Sequence, residues 1–336
     1  LTNSVSSSSA THSSKRSVLV TGGAGFIGSH LVDRLLARGD QVVVLDSFNT
    51  FYDPALKRRN VAEHLKQPGY TLIEGDLRDR VKVREALSHG PFEAVVHLAA
   101  LAGVRPSLEQ PAYYMDVNVN GTQILLEEVV YRKISRFVFG SSSSVYGRRS
   151  GEEFLESDRI DQPLSPYAAS KAAGELLCYA AHHTYKLPVV CLRFFTVFGP
   201  RQRPDLAIRK FCRLIDEGQT VEVYGDGHSK RDYTYIDDIV SGIISALAYD
   251  LPGYDLINLG RSDPIELIEM IRQLESALGK SAKLVYKEVQ MGEMPYTYAS
   301  IRRARQSLNY QPQTPFAEGI KHFVEWYRQQ PLAIPR

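Results

Sequence analysis

The chain has 336 residues, 43% of them hydrophobic and 23% charged, with a formal net charge of +2. That length and composition suit one large or two moderate globular domains, and the near-neutral balance offers no electrostatic footprint for nucleic acid. No apolar run approaches the ~20 residues of a membrane span, and Cys178, Cys191 and Cys212 lack the spacing of a metal cage, so neither a membrane nor a metal partner is expected.

Residues Leu1 to Arg16 are dominated by Ser and Thr, with Leu1 and Val5 the large aliphatics. Such a segment cannot bury enough apolar surface to offset its ordering entropy, which predicts a disordered Ser-rich tail over 1–16, without the apolar core of a secretory signal. With so few cysteines, a reducing, cytoplasmic compartment is expected. Val18 to Val20 then reads as a short buried strand, and Leu31, Leu35 and Leu36 mark an amphipathic helix. Between them stands Thr21-Gly22-Gly23-Ala24-Gly25-Phe26-Ile27-Gly28. Gly22 permits a tight turn, Gly25 lets backbone approach a pyrophosphate, and Gly28 lets the helix pack close to the strand. The helix start at Phe26 and Ile27 offers free N–H groups to the anion. The second strand, Gln41 to Leu45, ends in Asp46. Its carboxylate suits adenosine ribose hydroxyls and repels a 2′-phosphate, and no Arg follows closely, so NAD rather than NADP is the expected cofactor.

Strands are predicted at 18–21, 41–46, 70–74, 93–97, 136–141 and 188–193, and helices near 27–38, 54–66, 79–88, 109–132 and 166–186. The alternation predicts an α/β fold, a Rossmann-like doubly wound parallel sheet covered on both faces. Asp76 and Leu77 follow the third strand at the ligand crevice, within reach of the adenine. Leu98, Ala99 and Ala100 follow the fourth, where small residues let the cofactor lie against the backbone. His97 reads as a packed strand-end histidine. The short basic clusters Lys57-Arg58-Arg59 and Arg302-Arg303 read as solvated helix faces. Past Arg193 the alternation loosens, and Gly199, Pro200 and Pro204 predict a loop over 198–205. Helices near 206–217, 236–249, 264–279 and 315–329, with strands near 221–224, 255–259 and 283–286, predict a smaller α/β substrate-binding lobe. The expected division is 17–193 plus about 230–260 for the NAD-binding domain, and about 194–229 plus 261–330 for the substrate domain, with the site in the cleft between them.

Chemistry concentrates at two stretches. Ser141-Ser142-Ser143-Ser144-Val145-Tyr146-Gly147 puts hydroxyls at the end of the fifth strand, and Ser165-Pro166-Tyr167-Ala168-Ala169-Ser170-Lys171 opens a long helix. Tyr167 and Lys171 are four apart and share a helix face. Free tyrosine titrates near pH ~10, too high for a base at neutral pH. A Lys171 ammonium one turn away, with the positive nicotinamide, supplies the stabilisation a phenolate needs. Lys171 can also bond the nicotinamide ribose, and Ser142 is placed to share the substrate proton. Tyr-x-x-x-Lys alone is common on helices; its weight comes from the glycine corner and the hydroxyl-bearing strand end beside it.

Together these residues resemble the extended short-chain dehydrogenase/reductases that modify nucleotide sugars, over residues 17 to about 330. The resemblance implies a central-helix supporting role for Asn118 and a pyrophosphate-binding role for Arg231. It also implies a homodimer through helices near 109–132 and 166–186. Dehydratases and UDP-glucuronate decarboxylases of this family carry an acidic residue in the two positions before Val-Tyr-Gly, where this chain has Ser143 and Ser144. Without that carboxylate, oxidation and re-reduction at one carbon remain, which is epimerisation. Thr196, Arg203-Pro204-Asp205, Gly103-Val104-Arg105, Tyr52 to Arg58 and Pro295 to Ala299 are similar to UDP-glucuronate 4-epimerases. A uronic acid needs hydroxyls and a guanidinium around its carboxylate, for which Ser143, Ser144, Thr196 and Arg203 are the candidates, with Ser142, Arg105 and Arg231 as further substrate contacts. Ser300 and Glu293 stand where that group has Asp, in the uridine-side segment. An epimerase of neutral UDP-hexoses, a decarboxylase and a non-catalytic NAD-binding regulator are the competing readings.

Overall fold

Seven strands form one parallel sheet in the computed structural model, which describes residues 16–149, 152–250, 253–289, 294 and 296–330. The Ser-rich tail up to residue 15, together with Glu293 and Pro295, lies outside the described residues. The first half runs β1 (Ser17–Thr21), α1 (Phe26–Ala37), β2 (Gln41–Asp46), α2 (Pro54–Val61), β3 (Tyr70–Glu74), α3 (Arg80–Ser88) and β4 (Ala94–His97). It continues with α4 (Val104–Glu109), α5 (Pro111–Met115), α6 (Gly121–Tyr131), β5 (Phe137–Ser142), α7 (Pro166–Tyr185) and β6 (Val189–Phe194). The remainder is β7 (Thr196–Phe198), α8 (Ala207–Asp216), β8 (Thr220–Tyr224), β9 (Lys230–Tyr235), α9 (Ile236–Ala248) and β10 (Tyr254–Leu259). Last come β11 (Pro264–Glu266), α10 (Leu267–Leu278), β12 (Lys283–Lys287), α11 (Arg302–Leu308) and α12 (Phe316–Arg328).

The large sheet has the order β10-β6-β5-β4-β1-β2-β3. Strand alternation divides its core. Val18, Val20, Val42, Val44 and Val96 pack with Leu31, Val32 and Leu35 of α1, while Leu19, Val43, Leu45 and Val95 pack with Val83 of α3 and Leu125 of α6 on the other face. Both faces are therefore apolar, as continuous Val/Leu strands require. The order reverses between β1 and β4, so a crevice opens at their C-terminal ends. A second, three-stranded sheet has the order β11-β9-β7, and β8 pairs in parallel with β12.

Several predicted bounds change, each for a local reason. The helix expected near 109–132 is α4, α5 and α6, with a π-helical turn at Asp116–Asn120 before α6. Pro111 at the first position of α5 ends α4. α2 stops at Val61, followed by a 3-10 turn at His64–Lys66. β7 enters the stretch expected as a loop, and β11 takes the first residues of the helix expected at 264–279, because both pair with β9. β9 itself was not anticipated: Lys230-Arg231-Asp232 hides a strand behind charged residues, although Asp232 is fully buried.

Candidate active site

A cavity of about 460 Å³ occupies the crevice between β1 and β4. At its base Gly22 has φ +73°, and a Cβ there would stand 2.7 Å from the Ala99 nitrogen. A Cβ on Gly28 would stand 2.2 Å from the Gly22 oxygen, so α1 can meet the turn this closely only through glycine. Gly22, Gly25, Phe26, Ile27, Gly28, Asp46, Asp76, Leu77, Leu98, Ala99 and Ala100 all line the cavity. Asp46 accepts from the Ala24 and Phe48 nitrogens at 3.0 and 2.9 Å. Burial raises its pKa, and the nearby Lys57 ammonium works in the opposite direction. The Asp76 carboxylate is gripped by Arg78 at 2.8–3.0 Å, which holds it below the ordinary carboxylate range. A glycine cradle at a helix start, with a carboxylate at the next strand end, fits the pyrophosphate and adenosine ribose of NAD.

His97 is a structural residue, as its strand-end position suggests. Thr122 Oγ1 donates to the Asn118 carbonyl at 2.6 Å, so it accepts from His97 Nε2 at 2.9 Å. Nδ1 then accepts from Thr21 Oγ1 at 2.7 Å. This chain ties the glycine corner to the π-helical turn, where Asn118 Nδ2 donates to the Leu101 carbonyl and Ser170 Oγ, both at 2.9 Å. The extra residue of a π turn at a functional site is a recurrent device. Burial lowers the His97 pKa from 6.5 to about 3, with the Lys171 charge adding to it. A depressed base stabilises the fold fully above the unfolded value and loses that contribution as pH falls from 6.5 toward 3, by about 1.4 kcal/mol per pH unit. Denaturation measured between pH 6.5 and 4.5 should therefore be flatter by one proton in His97→Asn than in the parent; equal slopes would refute the assignment.

Tyr167, Lys171 and Ser142 line the same cavity. Ser165 caps α7 by accepting from the Ala168 nitrogen at 3.1 Å, with Pro166 in the first turn, so Tyr167 enters the helix at its start. Burial raises the Tyr167 pKa; a hydrogen bond with the Ser142 side chain and the Arg203 charge favour the phenolate. Lys171 Nζ donates to the Gly140 carbonyl at 2.7 Å, and burial lowers its pKa to about 8. The buried Tyr114 ring stands edge-on to Tyr167 at 6.4 Å.

Ser143, Ser144, Thr196, Arg203 and Arg231 also line the cavity. Ser144 Oγ is buried and has no hydrogen-bond partner. Arg203 donates from Nε and Nη2 to Asp205 at 3.0 and 2.7 Å, and from Nη2 to the Ala102 carbonyl at 3.3 Å. Its guanidinium lies over the Phe51 ring at 5.1 Å. The loop bearing Phe51 starts at Asp46 and is clasped to α5, since Asn49 Nδ2 donates to the Tyr113 hydroxyl at 2.9 Å.

Two expectations change. Arg105 does not line the cavity; it is exposed, with its guanidinium over the Tyr224 ring at 5.1 Å, because α4 carries it outward. Lys57 is no solvated helix residue; it is buried in the cavity wall, donating to the Asn49 carbonyl at 3.0 Å, because α2 folds back over Asp46. Ser300 is not a lining residue: it is buried between Asn258, whose Nδ2 donates to its carbonyl at 3.3 Å, and Arg302. Phe51, Tyr113 and Thr297 line the cavity without having been singled out for it. Thr297 Oγ1 accepts from the Asp232 nitrogen at 3.0 Å, a link between segments far apart in sequence.

The UDP-glucuronate 4-epimerase of Thermodesulfobacterium geofontis is 40% identical over 313 residues, covering 93% of this chain and 96% of the relative. UDP-glucuronate 4-epimerase 1 of Arabidopsis thaliana is 42% identical over 330 residues, covering 93% and 76%. A crystal structure of UDP-glucuronic acid 4-epimerase from Bacillus cereus, in complex with UDP-glucuronic acid and NAD, superposes with a TM-score of 0.87 at 36% identity, covering 93% of this chain and 99% of that one. Residues 18–260 match the profile of the NAD dependent epimerase/dehydratase family, and with the glycine cradle, Asp46 and the Tyr167–Lys171 pair in one crevice, the chain belongs to that family.

Proposed function

We propose that the protein interconverts UDP-glucuronate and UDP-galacturonate by 4-epimerisation with NAD as its resident cofactor. The observation that carries this reading is the strand end: Ser142, Ser143 and Ser144 face the cavity with Thr196 and Arg203, and Ser144 Oγ is buried without a partner. A row of neutral hydroxyls and one guanidinium suits a sugar carboxylate. Relatives at about 40% identity bear the name of this activity.

The residues proposed to hold the cofactor are Gly22, Gly25, Phe26, Ile27 and Gly28 at the pyrophosphate, and Asp46 at the ribose. Asp76, Leu77, Leu98, Ala99 and Ala100 complete its walls. Bound there, NAD supplies reversible hydride acceptance at the sugar C4. Tyr167 as phenolate takes the C4 hydroxyl proton and, once the keto sugar has turned its other face toward the cofactor, returns that proton to the C4 oxygen. Ser142 shares that proton, Lys171 holds the phenolate by charge, and Arg231 anchors the diphosphate. The 4-keto uronic acid is a β-keto acid prone to losing CO₂. Ser143, Ser144, Thr196 and Arg203 keep its carboxylate out of the alignment that expels it.

We assign residues 17–193 with about 230–260 to the cofactor domain and about 194–229 with 261–330 to the sugar-nucleotide domain. The pairing of β9 with β7 and β11 makes the first strand of the 230–260 segment a seam between them. A homodimer is proposed through α4–α7, which expose Leu108, Met115, Leu176 and Tyr179. The cytoplasm is the proposed compartment, supported by three buried free thiols, Cys178, Cys191 and Cys212. Among the described residues no helix is long and apolar enough to cross a membrane.

Incubation with UDP-glucuronate, followed by NMR, should yield UDP-galacturonate. UDP-xylose or a UDP-4-keto-pentose with release of CO₂ would establish a decarboxylase instead, and faster turnover of UDP-glucose would establish a neutral-sugar epimerase.

A further inference from the structure

A buried ion pair joins the catalytic helix to the strand end beside it. Glu175 on α7 and Arg193 on β6 are each 2% exposed. Arg193 donates from Nε and Nη2 to the two Glu175 oxygens at 2.9 and 2.7 Å, and Ser141 Oγ donates to the same carboxylate at 2.5 Å. The guanidinium also lies over the Tyr146 ring at 4.6 Å. Ser141 sits between Gly140, whose carbonyl accepts from Lys171, and Ser142, which is hydrogen-bonded to Tyr167. Tyr167, Lys171 and Glu175 recur every four residues on one face of α7. Three helix residues thus meet three consecutive strand residues, Tyr167 with Ser142, Glu175 with Ser141 and Lys171 with Gly140.

We propose that Glu175 is a positioning residue for the reaction: through Ser141 and Arg193 it sets the register in which Tyr167 and Lys171 face the end of β5. A buried ion pair is a poor source of stability, because desolvation offsets most of its attraction. A bidentate pair does impose a geometry that apolar packing of equal volume would not. Glu175 does not line the cavity; it acts through Ser141 and, by its charge, on Lys171. The groups facing Tyr167 are Ser142 on β5, Arg203 after β7 and Tyr114 on α5. Those facing Lys171 are Glu175 and Cys178 on α7 and His97 on β4.

The proposal rests on Tyr167 being the proton-transferring group, so one readout needs no sugar. In the NAD-bound protein, the phenolate titration of Tyr167 is taken by ultraviolet absorbance as the difference from Tyr167→Phe. Glu175→Gln and Ser141→Ala should each move it to higher pH by roughly half a pH unit or more, as alignment with Lys171 and Ser142 is lost. With UDP-glucuronate, both should lower kcat, Glu175→Gln by about 30-fold or more, while KM and bound NAD stay within about twofold. Ser141→Ala buries no unpaired charge and decides the matter if Glu175→Gln does not fold. Parental titration and kcat in the soluble variants would overturn the proposal, as would a loss of kcat matched by loss of NAD and of thermal stability. If the parent turns over no UDP-glucuronate, the titration still tests Glu175 while the substrate reading fails alone.

Discussion

Replacing Tyr167 by Phe should lower kcat for UDP-glucuronate by a factor of about 10²–10⁴, the usual worth of a positioned acid–base group, while leaving bound NAD and thermal stability near the parental values. The ring is kept, so its edge contact with Tyr114 and the packing of α7 survive; only the hydroxyl is lost. Burial alone pushes the Tyr167 phenol upward, away from use at neutral pH. The Ser142 hydrogen bond, the Arg203 charge, the Lys171 ammonium and the positive ring of the cofactor must together bring it back. The active form is the phenolate, so kcat/KM should rise with pH as Tyr167 loses its proton. It should turn down above about pH 8, where Lys171, itself lowered by burial, gives up its charge. A Tyr167→Phe protein with more than a tenth of the parental kcat would remove Tyr167 from the chemistry.

Replacing Arg203 by Met should raise KM for UDP-glucuronate by about 30- to 150-fold, the range of a charge-assisted contact of about 2–3 kcal/mol, and leave binding of UDP-glucose almost unchanged. Asp205 occupies Nε and Nη2 of this guanidinium, and Phe51 covers one face, so the group is held in place before a sugar arrives. Preorganisation of this kind reduces the ordering cost of binding. Asp205 is exposed and can be solvated when its partner is removed, which keeps the variant folded. A second readout is the product: with the carboxylate less restrained, a larger share of turnovers should end in CO₂ release. Equal losses of affinity for UDP-glucuronate and UDP-glucose would show that Arg203 does not read the carboxylate.

The parts of this site legible in the sequence are those that need few residues at fixed spacing. Glycine at three positions, a carboxylate closing an apolar strand and Tyr-x-x-x-Lys each work through local backbone geometry, and all of them converge on the cavity. The large sheet was legible for the same reason, since continuous Val/Leu strands have to be covered on both sides. What stayed hidden depends on tertiary pairing. β9 is polar in composition; pairing with β7 and β11 makes it a strand, and the backbone nitrogens of Arg261, Ser262 and Ala299 that satisfy Asp232 let it be buried. Nothing in the sequence couples Glu175 to Arg193, which lie 18 residues apart until α7 and β6 bring them together. The position of Arg105 outside the cavity lining was hidden too, since the resemblance of Gly103-Val104-Arg105 says nothing about the direction in which α4 points the side chain.

The segment between β2 and α2 begins at the carboxylate proposed to hold the adenosine ribose and reaches the guanidinium proposed to select the sugar, with Asn49 fastened to Tyr113 between them. Anyone redesigning this enzyme for a different sugar would be editing the clamp that retains its coenzyme. Specificity swaps between relatives should therefore graft that stretch whole, together with its α5 counterpart, instead of exchanging single side chains at the sugar end.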